Sequence, residues 1–218
     1  MQERQSRESG RKAPAAATLP EGFRLLPGFL DRQAQKDLLE EIRAVVAVAP
    51  LFTPAMPRTG TPFSVRMTNC GALGWVSDRA GYRYQPEHPL TGEPWPAMPP
   101  RLLDLWRQLT PEAPPPEACL VNFYGPKARM GLHQDRDEAT FEAPVISVSL
   151  GATALFRIGG RSRKDPTRSL RLASGDVVVL GGAARLAYHG IDRLLPGTST
   201  LVRGDGRINL TLRRVTPA

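Results

Sequence analysis

The second half of the chain most constrains the fold, because short β-prone runs there alternate with turn-forming residues. After Pro115 each run is roughly four to eight residues long and is rich in branched and aromatic side chains. The predicted strands are 119–124, 132–135, 145–150, 154–158, 169–172, 176–180, 188–191 and 207–214. Many short strands without intervening helices predict an antiparallel sandwich or barrel. The 22 prolines and 20 glycines agree with frequent turns.

The first half of the chain indicates helices that flank this β-region. Apolar residues recur at helical spacing from Leu30 to Val48, with Asp31 placed as N-cap, and a second short helix is predicted from 99 or 100 to 109. The stretch 50–100 is rich in Pro and Gly and is predicted to be irregular. Residues 1–20 lack an apolar stretch and are predicted to be a flexible tail. The expected fold is one domain over 21–218, mainly β with flanking helices (α+β).

Charge and cysteine usage narrow the class of protein. The net charge of +8 favours an anionic partner such as nucleic acid, because neutralising phosphates releases counterions. Basic proteins without such a partner are common, so charge alone does not decide whether this chain binds an anionic partner.

Cys70 and Cys119 lie far apart in the sequence without a CxxC, which favours a reducing, cytoplasmic location. No apolar run reaches the roughly 20 residues that cross a bilayer, so no membrane partner is expected.

Polar side chains occupy alternate positions of three predicted strands. Residues two apart on a strand share a face, which pairs Asn122 with Tyr124 and His133 with Asp135. By the same spacing Arg207, Asn209 and Arg213 point one way on the last strand. A solvated outer face is the commoner meaning of such alternation. A cavity lining is the alternative, and it is favoured by these side chains because they suit metal and carboxylate recognition.

Two imidazoles and a carboxylate within this set predict a metal site. Histidine is scarce, and His133 and Asp135 form an H-x-D step while His189 opens another predicted strand. Two His and one carboxylate form the facial triad of non-haem iron(II) oxygenases, which leaves coordination positions open for a cosubstrate and oxygen. Arg207 and Arg213 would anchor a cosubstrate with two carboxylates, since guanidinium binds carboxylate in a bidentate way. The alternative is that these arginines pair with surface acids.

Six segments of the chain resemble the AlkB family of DNA and RNA dealkylases. They are NFYGP, LHQDRDE, APVISVSLG, GDVVVLGG, YHGI and RINLTLR, which follow one another in the family's order between about Met67 and Arg214. The resemblance implies a double-stranded β-helix, or jelly roll, over 115–216, with 50–100 forming a nucleotide-recognition lid. The chain departs from the family pattern at Asp78, Lys127 and Leu180, and these differences affect the expected shape of the pocket.

The same resemblance implies roles for the site residues. His133, Asp135 and His189 would hold iron(II) and form the catalytic centre. The residues implied to bind 2-oxoglutarate are Asn122, Tyr124, Arg207, Asn209 and Arg213, with Arg207 at the distal carboxylate. The residues implied to contact substrate are Trp75, Tyr82, Tyr84, Asp137 and Arg163. Trp75 would stack on an extruded base, although core packing is the usual role of a Trp.

The reaction implied is the oxidative demethylation of 1-methyladenine or 3-methylcytosine in DNA, single-stranded by preference, and of RNA as a further candidate. It would consume O2 and 2-oxoglutarate and release formaldehyde, succinate and CO2. Asp137 would favour such cationic bases by Coulomb attraction. The alternative function is hydroxylation of a protein or small molecule by the same chemistry. A monomer is expected.

Overall fold

The computed structural model describes residues 18–217, which form two helices, one short 3-10 helix and a set of antiparallel strands. The helices are α1 (Arg32–Val48) and α2 (Pro100–Leu109), and the 3-10 helix is Gly182–Leu186. The strands are β1 (Phe23–Leu26), β2 (Val65–Gly71), β3 (Gly74–Asp78), β4 (Gly81–Gln85), β5 (Ala118–Tyr124), β6 (Met130–His133), β7 (Val145–Gly151), β8 (Thr153–Ile158), β9 (Arg168–Leu172), β10 (Val177–Leu180), β11 (His189–Leu195) and β12 (Arg207–Arg213). The prediction of a mainly β chain with flanking helices is confirmed.

The strands form two packed sheets and one hairpin. The large sheet has the order β1-β10-β7-β12-β5-β2, and the small sheet has the order β6-β11-β8-β9. Strands β3 and β4 pair only with each other. Apolar side chains from both sheets share one core, with Val178 and Leu180 from the large sheet and Phe156 and Ile158 from the small sheet. Two antiparallel sheets packed in this way form the predicted sandwich.

Apolar and polar side chains alternate along the central strands, so each strand has one apolar face and one polar face. Val121, Leu210 and Leu212 are buried in a core that they share with the helices. Their neighbours Asn122 and Thr211 lie on the opposite face of the same strands, toward the small sheet. Because successive side chains point to opposite faces, the two central strands β5 and β12 place polar groups between the sheets. The cavity alternative of the sequence pattern is therefore the one that the fold adopts.

Both predicted helices form and cover the outer face of the large sheet. Asp31 caps α1 by accepting a hydrogen bond from the Ala34 amide at 2.8 Å, and Leu38 and Ile42 are fully buried. Helix α2 begins at Pro100, whose missing amide costs nothing in the first turn, and it buries Trp106. Within residues 18–217 neither helix is both long and apolar enough to cross a bilayer.

The stretch 50–100 contains more regular structure than its composition predicts. Strand β2 pairs with β5 over its whole length, and β3 and β4 form a hairpin. The prediction of an irregular stretch is wrong there, because the β2 sequence VRMTNCG gains its order from pairing with β5 and from burial rather than from its own β propensity. Apart from 18–20, the predicted tail over 1–20 lies outside the described residues.

Candidate metal and cosubstrate site

Two histidines meet as a directly opposed pair across the small sheet. His133 is the last residue of β6 and His189 is the first of β11, and their Cα atoms are register partners. Opposed residues of an antiparallel pair hold their Cβ atoms about 5 Å apart. The two imidazole ring centroids are 4.6 Å apart. Strand pairing itself therefore brings together two side chains that lie far apart in the sequence.

Asp135 completes the cluster from a loop rather than from a strand. The prediction that His133 and Asp135 share a face of one strand is wrong, because β6 ends at His133. Asp135 turns back toward the pair, with its carboxylate oxygens 3.8 Å from His133 Nε2 and 3.9 Å from His189 Nε2. One ligand atom from each of the three residues lies within 4.8 Å of the other two.

Buried arginines hold the Asp135 loop in this position. Arg213 Nη2 donates to Asp135 Oδ1 at 2.8 Å, and Arg185 Nη1 donates to the Asp135 carbonyl at 2.6 Å. Burial acts to raise the pKa of Asp135, but the charge of Arg213, together with smaller contributions from His189, His133 and Arg185, outweighs burial and keeps that pKa well below its usual range. The carboxylate is therefore ionised under all physiological conditions.

Both imidazoles direct Nε2 toward the Asp135 carboxylate at the centre of the cluster. His133 Nδ1 donates to the Gly131 carbonyl and His189 Nδ1 donates to the Ala187 carbonyl, each at 2.9 Å. A carbonyl oxygen can only accept, so each ring carries a proton on Nδ1, and Nε2 is the nitrogen that the neutral tautomer offers as a lone-pair donor. Burial, followed by the nearby His133, lowers the pKa of His189 to about 4 and keeps the ring neutral near pH 7.

This donor set fits iron(II). Two imidazole nitrogens and one carboxylate on one side of a cavity are the facial arrangement that this ion takes in oxygenases. Asp135 Oδ2 is buried and has no hydrogen-bond partner among residues 18–217, a costly state for a carboxylate oxygen that a cation would relieve. His133, Asp135 and His189 would be the protein ligands.

A cavity of about 930 Å³ opens beside the cluster between the two sheets. Every site residue that the sequence singled out lines it. The metal-binding and cosubstrate candidates in the wall are His133, Asp135, His189, Asn122, Tyr124, Arg207, Asn209 and Arg213. The substrate candidates in the wall are Trp75, Tyr82, Tyr84, Asp137 and Arg163. This volume is large enough for a small diacid and a nucleobase together.

Arg207 supplies an unpaired positive charge away from the metal cluster. Its side chain is fully buried, and its guanidinium donates to Ser149 Oγ at 2.7 Å and to the Ala152 and Leu172 carbonyls at 3.1 Å. No carboxylate of the described residues pairs with it, and Arg207 Nε has no partner. Burial lowers the pKa of Arg207 to about 10, which leaves it charged. A carboxylate from a ligand would neutralise it.

The polar residues between the two arginines are partly pre-oriented. Asn209 Nδ2 donates to Ser147 Oγ at 2.7 Å, and Thr211 Oγ1 donates to Asn209 Oδ1 at 3.0 Å. Burial raises the pKa of Tyr124 well above its usual range, so its phenol stays protonated and can donate. Asn122 Oδ1 is buried without a partner in the described part of the chain. Together with Arg207 these groups supply hydrogen-bond donors and acceptors and a positive charge that suit 2-oxoglutarate.

The β3–β4 hairpin covers the mouth of the cavity and is tied to the loop that follows Asp135. Trp75 Nε1 donates to Asp137 Oδ2 at 2.8 Å, and Tyr84 donates to Glu138 Oε1 at 2.7 Å. The Trp75 indole stacks on Tyr82 with ring centroids 5.6 Å apart and planes 18° apart. Trp75 is therefore a half-buried member of an aromatic pair at the cavity mouth, and it packs against the edge of the inter-sheet core.

Arg163 and the departures from the family pattern also have defined places. Arg163 lies at the mouth with its guanidinium over the Tyr188 ring at 6.0 Å. Leu180 lines the cavity. Asp78 forms an ion pair with Arg83 at 2.9 Å in the β3–β4 hairpin, and Lys127 is exposed. Of the three departures, Leu180 is the one that changes the cavity wall.

Sequence reasoning missed the residues that support the site. Arg185 and Glu138 are buried and ion-paired at 3.2 Å, and Ser149 holds Arg207. The sequence does contain a signal for two of these residues. Arg185 is a lone charge in the apolar run GGAARLAYHG, and Ser149 is one of two hydroxyls at alternate positions of VISVSLG.

Comparisons with known proteins agree with this geometry. A family model described as the 2OG-Fe(II) oxygenase superfamily matches residues 22–213. The alpha-ketoglutarate-dependent dioxygenase AlkB homolog of Caulobacter vibrioides (strain NA1000 / CB15N) is 60% identical over 201 residues, which cover 92% of this chain and 91% of that protein. The alpha-ketoglutarate-dependent dioxygenase AlkB of Escherichia coli (strain K12) is 45% identical over 185 residues, covering 83% and 85%.

A solved structure extends the likeness from sequence to fold. The structure of OsALKBH1 superposes with a TM-score of 0.72 at 32% identity, covering 90% of this chain and all of that chain. This match identifies the two-sheet sandwich as the double-stranded β-helix that the sequence resemblance implies. On these grounds the chain belongs to the AlkB family of the 2OG-Fe(II) oxygenase superfamily.

Proposed function

We propose that this protein is an iron(II)- and 2-oxoglutarate-dependent dioxygenase that removes methyl groups from alkylated nucleic-acid bases. One observation carries the proposal. The His133–Asp135–His189 cluster lies in a cavity that has a buried, unpaired Arg207 in its wall and an aromatic hairpin at its mouth. A metal centre, a diacid anchor and a base-sized opening are the three parts that such a reaction needs.

The protein's residues bind and orient the reactants. When bound, iron(II) and 2-oxoglutarate together activate dioxygen, and this is the chemistry that the protein itself lacks. Arg207 binds the distal carboxylate, while Tyr124 and Asn122 contact the rest of the cosubstrate. His133, Asp135 and His189 hold the metal on one side and leave the cavity side open. The methyl carbon is hydroxylated and leaves as formaldehyde, the base is restored, and 2-oxoglutarate becomes succinate and CO2.

The lid selects and holds the base. Trp75 and Tyr82 offer an aromatic surface at the mouth, and stacking offsets the cost of extruding a base from its strand. Asp137 lies beside Trp75 and would attract a base that carries positive charge. Methylation at adenine N1 or cytosine N3 creates such a charge. The proposed substrates are therefore 1-methyladenine and 3-methylcytosine in DNA, with RNA as a further substrate.

Three finer points belong to the same proposal. Single-stranded DNA would be preferred because its bases need no unpairing before they enter the cavity. The enzyme would act as a monomer, since the described residues of one chain supply every group assigned above. A cytoplasmic location is supported by Cys70 and Cys119, which are both buried free thiols.

The test is formaldehyde release from single-lesion oligonucleotides. We expect release from 1-methyladenine and 3-methylcytosine strands only when iron(II) and 2-oxoglutarate are both present. His133→Ala should abolish release because it removes a metal ligand, and its circular dichroism spectrum should match the wild type. Near-normal release by His133→Ala would contradict the assignment of the metal site.

Succinate formation distinguishes the alternative function. If a protein or small molecule were the substrate, methylated oligonucleotides would not stimulate the conversion of 2-oxoglutarate to succinate. We expect a clear stimulation by a methylated strand over the same strand without the lesion.

A further inference from the structure

The two strands that carry the metal-binding histidines end at those histidines. Strand β6 ends at His133 and β11 begins at His189, and the two residues are register partners. The next pair along the ladder is Ile191 with Met130, so β6 advances three residues while β11 advances two. This bulge interrupts the regular ladder directly beside the metal ligands. Strand pairing therefore holds the two histidines only at the open end of an irregular ladder.

Side-chain hydrogen bonds continue the contact between the two segments beyond the ends of their strands. Gln134 follows His133 directly, and its Nε2 donates to the Leu186 carbonyl at 2.6 Å. One residue further out, Asp135 meets Arg185, whose Nη1 donates to the Asp135 carbonyl at 2.6 Å. These two contacts run in the same antiparallel order as the histidine pair. Side chains therefore take over from backbone groups where the strand ladder stops.

The short segment that precedes His189 is itself firmly anchored. Within the 3-10 helix Gly182–Leu186 the Ala184 amide donates to the Glu21 carbonyl at 2.9 Å, and Ala184 is fully buried. Ala187 is also fully buried, and its amide donates to the Ala184 carbonyl at 3.0 Å. The Ala187 carbonyl in turn accepts from His189 Nδ1 at 2.9 Å. This segment is therefore a fixed reference for the loop that follows β6.

Arg185 is held in place because its guanidinium uses all three nitrogens. Besides the contact with the Asp135 carbonyl, Nε donates to the Ala143 carbonyl at 3.1 Å, and Nη2 pairs with Glu138 Oε2 at 3.2 Å. The side chain is buried, and the ion pair with Glu138 offsets the cost of burying its charge. A lysine would keep the charge, but its single nitrogen cannot serve three acceptors in a fixed planar arrangement.

We propose that Gln134 and Arg185 are positioning residues that set the distance between the ligand pair His133–Asp135 and the third ligand, His189. Neither side chain belongs to the ligand cluster, and both act on the backbone of the segments that carry the ligands. Loss of outer contacts that orient metal ligands typically costs about 10- to 100-fold in metal affinity. This inference rests on the metal site of the proposed function and is independent of its nucleic-acid substrate.

General stabilisation of the fold is the alternative role for these contacts, and a matched pair of substitutions distinguishes the two roles. Gln134→Met keeps the length of the side chain and removes its donors, including one that reaches the Arg161 carbonyl at 3.4 Å. Gln33→Met is the control, because Gln33 is exposed on α1 and its Nε2 donates to Asp37 at 2.7 Å, behind the large sheet.

Calorimetric titration of the metal-free protein with cobalt(II) gives the metal affinity without turnover, and the visible absorption of bound cobalt(II) reports its coordination geometry. We expect Gln134→Met to bind cobalt(II) about tenfold more weakly than the wild type and to shift the visible bands. The affinity and spectrum of Gln33→Met should equal those of the wild type. Without metal, both variants should unfold close to the wild-type urea midpoint, because the net contribution of one hydrogen bond is small.

Arg185→Lys tests the second contact and its coupling to the first. We expect its cobalt(II) affinity to fall tenfold or more. The double variant Gln134→Met/Arg185→Lys should lose less than the product of the two single losses, because both contacts place the same loop. If Arg185→Lys does not fold, the comparison of Gln134→Met with Gln33→Met decides the proposal alone.

Three results would overturn the proposal. One is a cobalt(II) affinity and visible spectrum of Gln134→Met equal to those of the wild type. Another is an equal loss of affinity in Gln134→Met and Gln33→Met, which would assign the contact to general stability. The third is a double variant whose loss equals the product of the single losses, which would show that the two contacts do not share one geometry. Failure of the proposed function would look different, since the wild type would then bind cobalt(II) but release no formaldehyde from methylated strands.

Discussion

Arg207 and Arg213 share one face of β12 but differ in what neutralises them. Arg213 forms ion pairs with Asp135 at 2.8 Å and with Glu138 at 3.2 Å, and these pairs hold its pKa above the usual range despite burial. Among residues 18–217 Arg207 has only neutral oxygen partners. A buried charge without a counter-ion is costly, so its retention implies a ligand that supplies one. The roles of the two arginines follow from these contacts and not from their positions on the strand.

We expect Arg207→Lys to raise the KM for 2-oxoglutarate by about tenfold or more with a smaller effect on kcat, because an ammonium group cannot form the planar bidentate contact. Succinate formation as a function of 2-oxoglutarate concentration measures this. Arg203→Lys, at an exposed position of the β11–β12 loop, is the control. An unchanged KM in Arg207→Lys would remove Arg207 from the cosubstrate site.

At the scale of elements, the β3–β4 hairpin and the loop that carries Asp135 are joined through side chains. Trp75 and Tyr84 are directly opposed on β3 and β4, and they donate to the consecutive residues Asp137 and Glu138. Glu138 in turn pairs with Arg213, which holds the metal ligand Asp135. Since each link is a short polar contact, the position of the β3–β4 hairpin and the position of Asp135 are connected through side chains.

Tyr84→Phe should loosen this connection, because Glu138 loses a hydrogen-bond donor while the aromatic ring remains. The free energy of unfolding should fall by about 1 to 2 kcal/mol, and amide hydrogen exchange across β3–β4 should accelerate. Tyr82→Phe is the matched control, because Tyr82 is exposed and its hydroxyl, within the described part of the chain, hydrogen-bonds only to Met56 Sδ at 3.7 Å. Equal exchange rates in the two variants would argue against the connection.

Strands β6 and β11 approach so closely beside the metal ligands that a side chain does not fit between them. A Cβ atom on Gly190 would lie 2.6 Å from the Met130 carbonyl oxygen and 2.8 Å from that of Gly131. Gly190→Ala should therefore force the strands apart, separate His133 from His189, and weaken metal binding at least tenfold. Calorimetric titration with cobalt(II) measures the affinity without turnover.

Gly131→Ala is the control for the strand spacing, because a Cβ atom there meets nothing within 4 Å. Its metal affinity should remain within about twofold of the wild type, a difference of less than 0.5 kcal/mol. Equal cobalt(II) affinities for Gly190→Ala and Gly131→Ala would show that the close approach does not set the metal geometry.

At the scale of the whole molecule, Glu117 fastens the C-terminal segment to the start of β5. Its carboxylate accepts hydrogen bonds from the Val215 amide at 2.9 Å and from the Thr216 amide and hydroxyl at 2.7 Å. Burial acts to raise the pKa of Glu117, but these bonds and Arg214 outweigh it and keep that pKa below its ordinary value of 4.5. The segment after β12 is thereby held against the large sheet.

The lowered pKa of Glu117 gives stability a defined pH dependence. A carboxyl whose pKa is lower in the folded state stabilises the protein above its unfolded pKa, and this contribution is lost as the pH falls through the folded pKa. Glu117→Gln should therefore lower the free energy of unfolding by about 1 to 2 kcal/mol at neutral pH and by less near pH 3. Urea unfolding measures both, with exposed Glu112→Gln as control. A difference that is constant with pH would contradict the ionic contribution.

The sequence by itself determined the fold class, both helices and the identity of the polar groups between the sheets. Periodicity is a local property, so the alternation in VNFYGP and RINLTLR already separated Asn122 and Arg207 from the apolar face. The same holds for the N-cap at Asp31. The family resemblance, which rests on the order of these segments along the chain, then implied their roles at the site.

Only the tertiary structure decided which groups meet. Strands β1 and β2 gain their order from pairing with distant strands, and Asp135 reaches the histidines from a loop that Arg185 and Arg213 hold. These contacts join residues tens of positions apart, and no local pattern encodes them, because the stabilising interactions exist only after the chain has folded. The sequence therefore determined which chemical groups are present, and long-range packing determined their geometry.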